Sequence, residues 1–353
     1  MDATLPRSRF RSRRRPGAPR LRLGALLAAV LLATTAAACG TPQPTRITPQ
    51  PGATGSALPP STATPDPPPG PAFPLTLTDD EGTEVEITAE PRRIVSLTPA
   101  TTEILFALGV GDRIVGRVED ITLFPPEAGS IPEVAAFGTV NVEAIVGLEP
   151  DLVIAGGNFF TPPEGIARLR SVGLTVLVAY APDVETVFAD IELTGRATGR
   201  ADEALALADA IRAEFDAVAA ATVDLERPRV FYELDATGAI YGPADESFLA
   251  EMLALAGGDP ITTGSPDAFE IPLERLIEAD PEVILLGDAA YGVTAAAVAA
   301  RVGWNVMTAV REGAIRPTED VIITRPGPRL GEGLRSLALA IHPDLELPLE
   351  GGG

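Results

Sequence analysis

Glu143 and Glu274 stand 131 residues apart, and so do the prolines that follow them, Pro150 and Pro281. Each glutamate opens the same kind of stretch, Asn141–Ile154 in one case and Pro272–Leu285 in the other. Both copies read as a short helix, an acidic-Pro stop and a strand too continuously apolar to have a wet face. A carboxylate in the first turn of a helix offsets its positive end, worth about 0.3–1 kcal/mol. Together, or with Glu233, such carboxylates could form the acid–base couple of a glycoside hydrolase. No sequence context marks such a couple, and the chain has no Ser-His-Asp set and no Gly-rich phosphate loop.

Aromatic residues are few, yet several fall in loops where strands feed helices: Phe124, Phe137, Phe159, Phe160, Tyr241, Phe269 and Tyr291. Together they suggest an apolar, aromatic-walled cleft, the usual kind of ligand site. For any one of them ordinary core packing is the competing role. Arg325 could donate to the amides or carboxylates of a ligand, or serve as a structural ion pair. Asn158, Thr98 and Thr101 are lesser candidates, and Trp304 fits core or site equally. The only histidine is His342. A bare zinc or manganese site normally needs several histidines with carboxylates, so no metal site is expected. Haem held by histidine is disfavoured for the same reason, although a tyrosine ligand stays open. No cofactor is expected.

The elements that must position these residues alternate between strand and helix. Arg93–Leu97 reads as a buried strand, Thr98-Pro99 opens a helix stopped by Gly109, and Ile114–Gly116 and Thr175–Val178 are further strands, with Val85–Ile87 at an edge. Residues 183–224 lack proline and are apolar at helical spacing, with Gly195 and Gly199 expected to divide them into two helices. The second, from Ala201 to Val223, is long enough to join two lobes. A second lobe begins with Arg229–Glu233 and Ala239–Tyr241, and a helix through Leu334 and Ile341 closes the chain. The expected fold is α/β, with two lobes, each a mainly parallel sheet flanked by helices, joined by a long rigid inter-lobe helix.

Not all 353 residues belong to that fold. Eight arginines between Arg7 and Arg22 precede an uncharged run, Leu23–Ala38, and the only cysteine, Cys39. The run is shorter than the roughly 20 residues of a spanning helix. The pattern of basic, apolar and small residues before a cysteine resembles the lipobox of bacterial lipoproteins. Residues 1–38 are therefore expected to be a signal peptide, exported by the Sec or the twin-arginine route. Residues 39–72, rich in Pro and Thr, are expected to form an extended, disordered tether of about 100 Å reach. The N-terminal lobe is expected over 73–181, the helical linker over 182–226 and the C-terminal lobe over 227–348. Beyond the leader, 19 arginines face 48 acidic residues, a net charge of −29, and the chain has no lysine. Such a surface repels nucleic acid and anionic lipid headgroups, which argues against both as partners.

Ile94–Glu103, Asn141-Val142-Glu143, Glu149–Ile154, Ala256-Gly257-Gly258 and Arg325-Pro326-Gly327-Pro328-Arg329 resemble the class III periplasmic binding proteins, the cobalamin and ferric-siderophore substrate-binding lipoproteins of ABC transporters. The resemblance covers nearly everything from Phe73 to His342, in order and at fitting spacing. It implies a monomer that holds a corrinoid or ferric siderophore between two lobes. It also implies docking on an ABC permease driven by a separate ATPase, without catalysis by this chain. Glu143 and Glu274 match the acidic residues that meet permease arginines in that family, and the aromatics fall at positions that line its cleft and grip a bulky ligand. The rival expectations are a ligand-free cell-envelope scaffold lipoprotein and a carboxylate-dependent hydrolase. The implied location is the outer face of the cytoplasmic membrane, anchored by lipid on Cys39.

Stable anchoring takes more than one acyl chain. Cys39→Ala is expected to release the protein from the membrane or stall its processing, with ligand affinity intact. Fractionation and intact-mass measurement check this; an unmodified Cys39 in membrane-extracted protein would contradict it.

Overall fold

A computed structural model describes residues 73–157 and 161–347. The leader, Cys39, the tether, Asn158, Phe159 and Phe160 lie outside the described residues. The N-terminal part begins with an antiparallel hairpin, β1 (Leu75–Thr78) and β2 (Glu84–Ile87). It continues through β3 (Ile94–Ser96), α1 (Pro99–Ala107), β4 (Ile114–Val118), β5 (Glu133–Ala136), β6 (Thr139–Val140), α2 (Val142–Gly147), β7 (Leu152–Ala155), α3 (Pro163–Ser171) and β8 (Val176–Val178). Strands β3 to β8 form a sheet ordered β6-β5-β4-β3-β7-β8, parallel except between β5 and β6. The expected edge strand at Val85–Ile87 pairs only within the separate hairpin.

Two helices follow, α4 (Val184–Thr198) and α5 (Ala201–Thr222). The C-terminal part comprises β9 (Arg229–Glu233), α6 (Phe248–Leu255), β10 (Asp259–Pro260), α7 (Leu273–Ala279), β11 (Val283–Leu286), α8 (Ala295–Ala299), α9 (Thr308–Glu312), β12 (Ile315–Pro317), α10 (Asp320–Thr324) and α11 (Leu330–Ile341). Its sheet is ordered β10-β9-β11-β12 and is wholly parallel. Residues Ala239–Tyr241 make no strand; Tyr241 forms single bridges to Asp235 and Glu270.

The two sheets repeat one plan. The order β4-β3-β7-β8 in the first lobe matches β10-β9-β11-β12 in the second. The twinned stretches occupy equivalent places, α2 with β7 and α7 with β11. Their acidic-Pro stops adopt the same left-handed backbone, with φ of 47° at Glu149 and 45° at Asp280. One arginine per lobe holds each stop. Arg93 Nε donates to the Leu148 and Glu149 carbonyls, and Arg229 Nε to those of Ala279 and Asp280. In return, Asp151 accepts from the Arg93 backbone N–H and Glu282 from that of Arg229. The carbonyls left over at a helix end thus find donors without a C-terminal glycine.

Strand alternation sends successive side chains to opposite faces. Ile94, Leu152 and Ile154 on one face, with Val230, Tyr232 and Leu285 of the other sheet, belong to a single apolar cluster. The same cluster takes in Ile191, Ala204, Ile211 and Leu334 from α4, α5 and α11. The opposite faces pack separately, Val95 and Val153 under α2 and α3, Phe231 and Ile284 with Trp304. Trp304 is therefore core, 3% exposed.

The linker helices were expected to part at both Gly195 and Gly199. Only Gly199 ends α4, as its left-handed cap with φ of 74°. Gly195 lies inside α4, where a Cβ would meet the Ala204 Cβ at 2.2 Å and the Arg200 carbonyl oxygen at 2.7 Å. The missing side chain lets α5 start directly against α4. Gly195→Ala is expected to cost about 1–3 kcal/mol by overpacking. Gly147→Ala has open space and should be neutral or slightly stabilising. Thermal melts of the two variants check this; equal melting temperatures would contradict the close crossing.

Candidate functional site

A cavity of about 490 Å³ opens between the two sheets. From the first lobe it is lined by the segments leaving β3 (Thr98–Thr101), β4 (Glu119–Thr122), β7 (Gly156) and β8 (Ala179–Ala181). The second lobe contributes Tyr291 beyond β11 and, beyond β12, Asp320, Val321 and Thr324–Pro326. Every one of these segments follows the carboxyl end of a parallel strand, where open α/β sheets place their ligands. Strand packing fixes where each loop starts, so the sheets set the geometry of the site.

Arg325 lines this cavity, but both its terminal nitrogens are engaged. Nη1 donates to Glu103 Oε1 at 2.6 Å and to Asp120 Oδ2 at 3.1 Å. Nη2 donates to Asp120 Oδ1 at 3.1 Å and to Thr122 Oγ1 at 2.8 Å. Arg329 adds a fork to the two oxygens of Glu103, at 2.9 and 2.8 Å. Glu103, on α1, is only 2% exposed. Two arginines of the second lobe therefore meet carboxylates of the first. A half-buried guanidinium with two carboxylates in reach pairs with them, which is the structural ion pair weighed above as the alternative role of Arg325. Burial works to raise the Asp120 pKa, but the Arg325 charge and hydrogen bonds from Arg325 and Thr122 outweigh it and hold it low.

The remaining acids of the site are less well matched. Asp190, on α4, borders the cavity, is 6% exposed, and its Oδ1 has no hydrogen-bond partner among the described residues. Burial, then the neighbouring Asp80, push its pKa up to about 9. Asp320 accepts from the Tyr232 hydroxyl at 2.8 Å, and burial raises its pKa. Deeper in the second lobe, Glu233 is wholly buried and accepts both terminal nitrogens of Arg301. Asp288 lies beside this pair, its pKa pushed up to about 6 by burial and by the Glu233 charge.

Of the expected aromatic wall, Phe137 and Tyr291 reach the cavity, at 68% and 71% exposure. Thr98 and Thr101 also line it, the first capping α1 and donating to the second at 2.8 Å. Phe124, Tyr241 and Phe269 do not line it. Phe124 instead stacks under the Arg329 guanidinium at 4.1 Å, in a separate hollow beside Glu103. Tyr241 and Phe269 lie half-exposed in the second lobe, where the Gly242 N–H donates to the Phe269 carbonyl. Glu143 and Glu274 are both exposed in the first turns of α2 and α7, with no ion pair among the described residues. The structure does not bring Glu143, Glu274 and Glu233 together: two are on the surface of different lobes and the third is buried. No group of three metal-capable side chains occurs among the described residues.

Sequence reading missed Glu103, Asp120, Tyr180, Asp190 and Asp320. Asp190 carried a signal, since it falls on the apolar stripe of α4 with Val187 and Ile191. The others sit in loops, at a helix start or, for Glu103, in the middle of α1, where polar residues are unremarkable until the lobes are assembled.

A cleft walled by two similar α/β lobes, with the chain crossing between them through helices, defines a two-lobed ligand-capturing protein. The periplasmic binding protein family model matches residues 94–320, and the chain belongs to that family. An uncharacterised ABC transporter substrate-binding lipoprotein of Bacillus subtilis is 33% identical, over 77% of this chain and 87% of that protein. A cobalamin-binding protein of Halobacterium salinarum is 31% identical, over 77% of this chain and 75% of that one. The crystal structure of the periplasmic vitamin B12 binding protein of Vibrio cholerae superposes with a TM-score of 0.62 at 26% identity, over 71% of this chain and 97% of that one. The family consists of extracytoplasmic binding proteins that serve transport. No helix among the described residues is long and apolar enough to cross a membrane.

Arg325→Met strands carboxylates across the lobe boundary and is expected to cost about 3–5 kcal/mol. A depressed carboxyl pKa contributes stability that is present in full above its unfolded value and lost as pH falls through the folded one. Removing Arg325 abolishes the Asp120 contribution, so less stability remains to be lost in acid. Melts of both proteins from pH ~7 to ~3 check this: the difference between them should shrink as pH falls. A constant difference would contradict the pairing.

Proposed function

We propose that this chain is the extracytoplasmic capture subunit of an ABC importer, taking a cobalamin-like corrinoid or a ferric siderophore into the cleft and delivering it to a permease. The observation that carries the reading is a cavity between the carboxyl ends of two parallel sheets, walled by Phe137, Tyr291 and aliphatic side chains, with its one arginine already paired. A bulky chelate held mainly by apolar contact suits such a wall. A catecholate chelate, strongly anionic, would need several cations. The ligands named for the Halobacterium and Vibrio relatives point the same way. Cys39 would carry the lipid anchor, the tether would let the domain reach its permease, and the chain would act as a monomer without a cofactor of its own.

Glu143 and Glu274 are the proposed docking carboxylates, one per lobe, each exposed and unpaired among the described residues. Two Arg–carboxylate contacts at separate points fix position and orientation together. Glu143→Ala or Glu274→Ala should leave ligand affinity unchanged and reduce uptake. Losing one partner of such a contact costs on the order of 2–5 kcal/mol at the interface, while fold stability falls only by the helix-end contribution of about 0.3–1 kcal/mol. The double variant should be worst, and reversal to arginine worse than alanine. Uptake by the reconstituted transporter, measured beside ligand titration, tests this. Normal uptake by the double variant, or affinity lost in step with uptake, would overturn the docking role.

A further inference from the structure

The charged residues lining the cleft, among those described, are Glu119, Asp120, Asp190, Asp320 and Arg325. Arg325 is committed to Asp120, Glu103 and Thr122, so the cleft offers a ligand no free cation. Two helix starts add the other positive features among the described residues: α1, where Thr98 already accepts the Thr101 N–H, and α10, whose first residues Asp320 and Val321 line the cavity. Among these acids Asp190 brings a carboxyl that is 6% exposed, with one oxygen that has no partner among the described residues. Asp80, its neighbour, accepts from the Tyr180 N–H at 2.5 Å and shares a hydrogen bond with the Asp190 carboxyl, while Asp183 caps α4, so neither gives the second Asp190 oxygen a donor. A buried oxygen without a donor lowers stability. Such a cost persists where the group has a task.

We propose that Asp190 is a specificity-determining ligand contact, pairing with a carboxamide of an uncharged or cationic chelate, and that the cleft rejects chelates bearing free carboxylates. This rests on the importer reading above. With its proton shared with Asp80, the neutral carboxyl keeps an acceptor oxygen that can take the N–H of a primary amide. The raised pKa keeps Asp190 in that neutral form at physiological pH. A ligand carboxylate would instead face the acidic side chains of Glu119, Asp190 and Asp320 in a confined space whose one guanidinium is paired with Glu103 and Asp120.

The test uses the full chain at neutral pH and two pairs of probes, each differing on one scaffold by a single group. The pairs are cyanocobalamin with its monocarboxylic acid, one side-chain amide hydrolysed, and ferrioxamine B with its amine succinylated. The wild type should bind the amide or amine member of at least one pair at least about tenfold more tightly than the carboxylate member. Asp190→Leu should lose about tenfold in affinity for the preferred probe, yet melt higher by about 2–4 °C because an unpaired buried carboxyl is gone. Asp190→Asn keeps one donor and one acceptor and should stay within about threefold of wild type. Wild-type affinity in Asp190→Leu, or equal affinity for both members of the bound pair, would overturn the inference alone. Failure of the wild type to bind either scaffold would overturn the importer reading and the inference together.

Discussion

A single apolar cluster runs from Ile94 and Leu152 in the first sheet, through Ile191, Ala204, Ile211 and Leu334 in the helices, to Val230 and Leu285 in the second. Burial on this face cannot be divided between the lobes. Separating them would expose side chains worth about 1.5–3 kcal/mol each. Such packing favours small rotations about helices that stay packed over a wide hinge. The close crossing at Gly195 and Ala204 adds to this, because the turn between α4 and α5 has no slack. On the cleft side, Glu103 and Asp120 take the guanidiniums of Arg325 and Arg329, so the lobes are joined both by apolar packing and by ion pairs.

The repetition of one plan in both lobes explains why the site lies where it does. Each lobe builds its helix–strand unit with the same parts: a left-handed acidic residue before proline, an arginine capping the helix end, and a carboxylate holding that arginine's backbone. The sheets so built both direct the loops leaving their strands toward the cleft. Divergence lies in those loops. The first lobe supplies helix α1 and the acids after β4, and the second supplies Tyr291 and the segment from Asp320 to Arg325.

Much of the fold was legible because apolar runs and prolines are local signals. The buried strands at Ile94, Val153, Val230 and Ile284 could be read from their continuous aliphatic character, and the twinned stretches from their constant offset. Gly195 was misread because a glycine that permits a helix crossing looks, in sequence, like one that ends a helix. The site was less legible. Arg325 lies 222 residues beyond Glu103, and its commitment to that carboxylate depends on two lobes coming together. The aromatics were chosen for lying between strand and helix. That criterion does not say which way a loop turns, so Phe137 and Tyr291 reach the cleft while Phe124 packs under Arg329.

The central claim is that one ligand is held by both lobes at once, and amide hydrogen exchange tests it most directly. With saturating cyanocobalamin, or whichever chelate binds, exchange should slow together at residues 98–104 and 118–122 of the first lobe and at 289–292 and 320–325 of the second. Helix α5, already packed on both sides, should change little. Protection confined to one lobe would contradict a ligand clasped in the cleft.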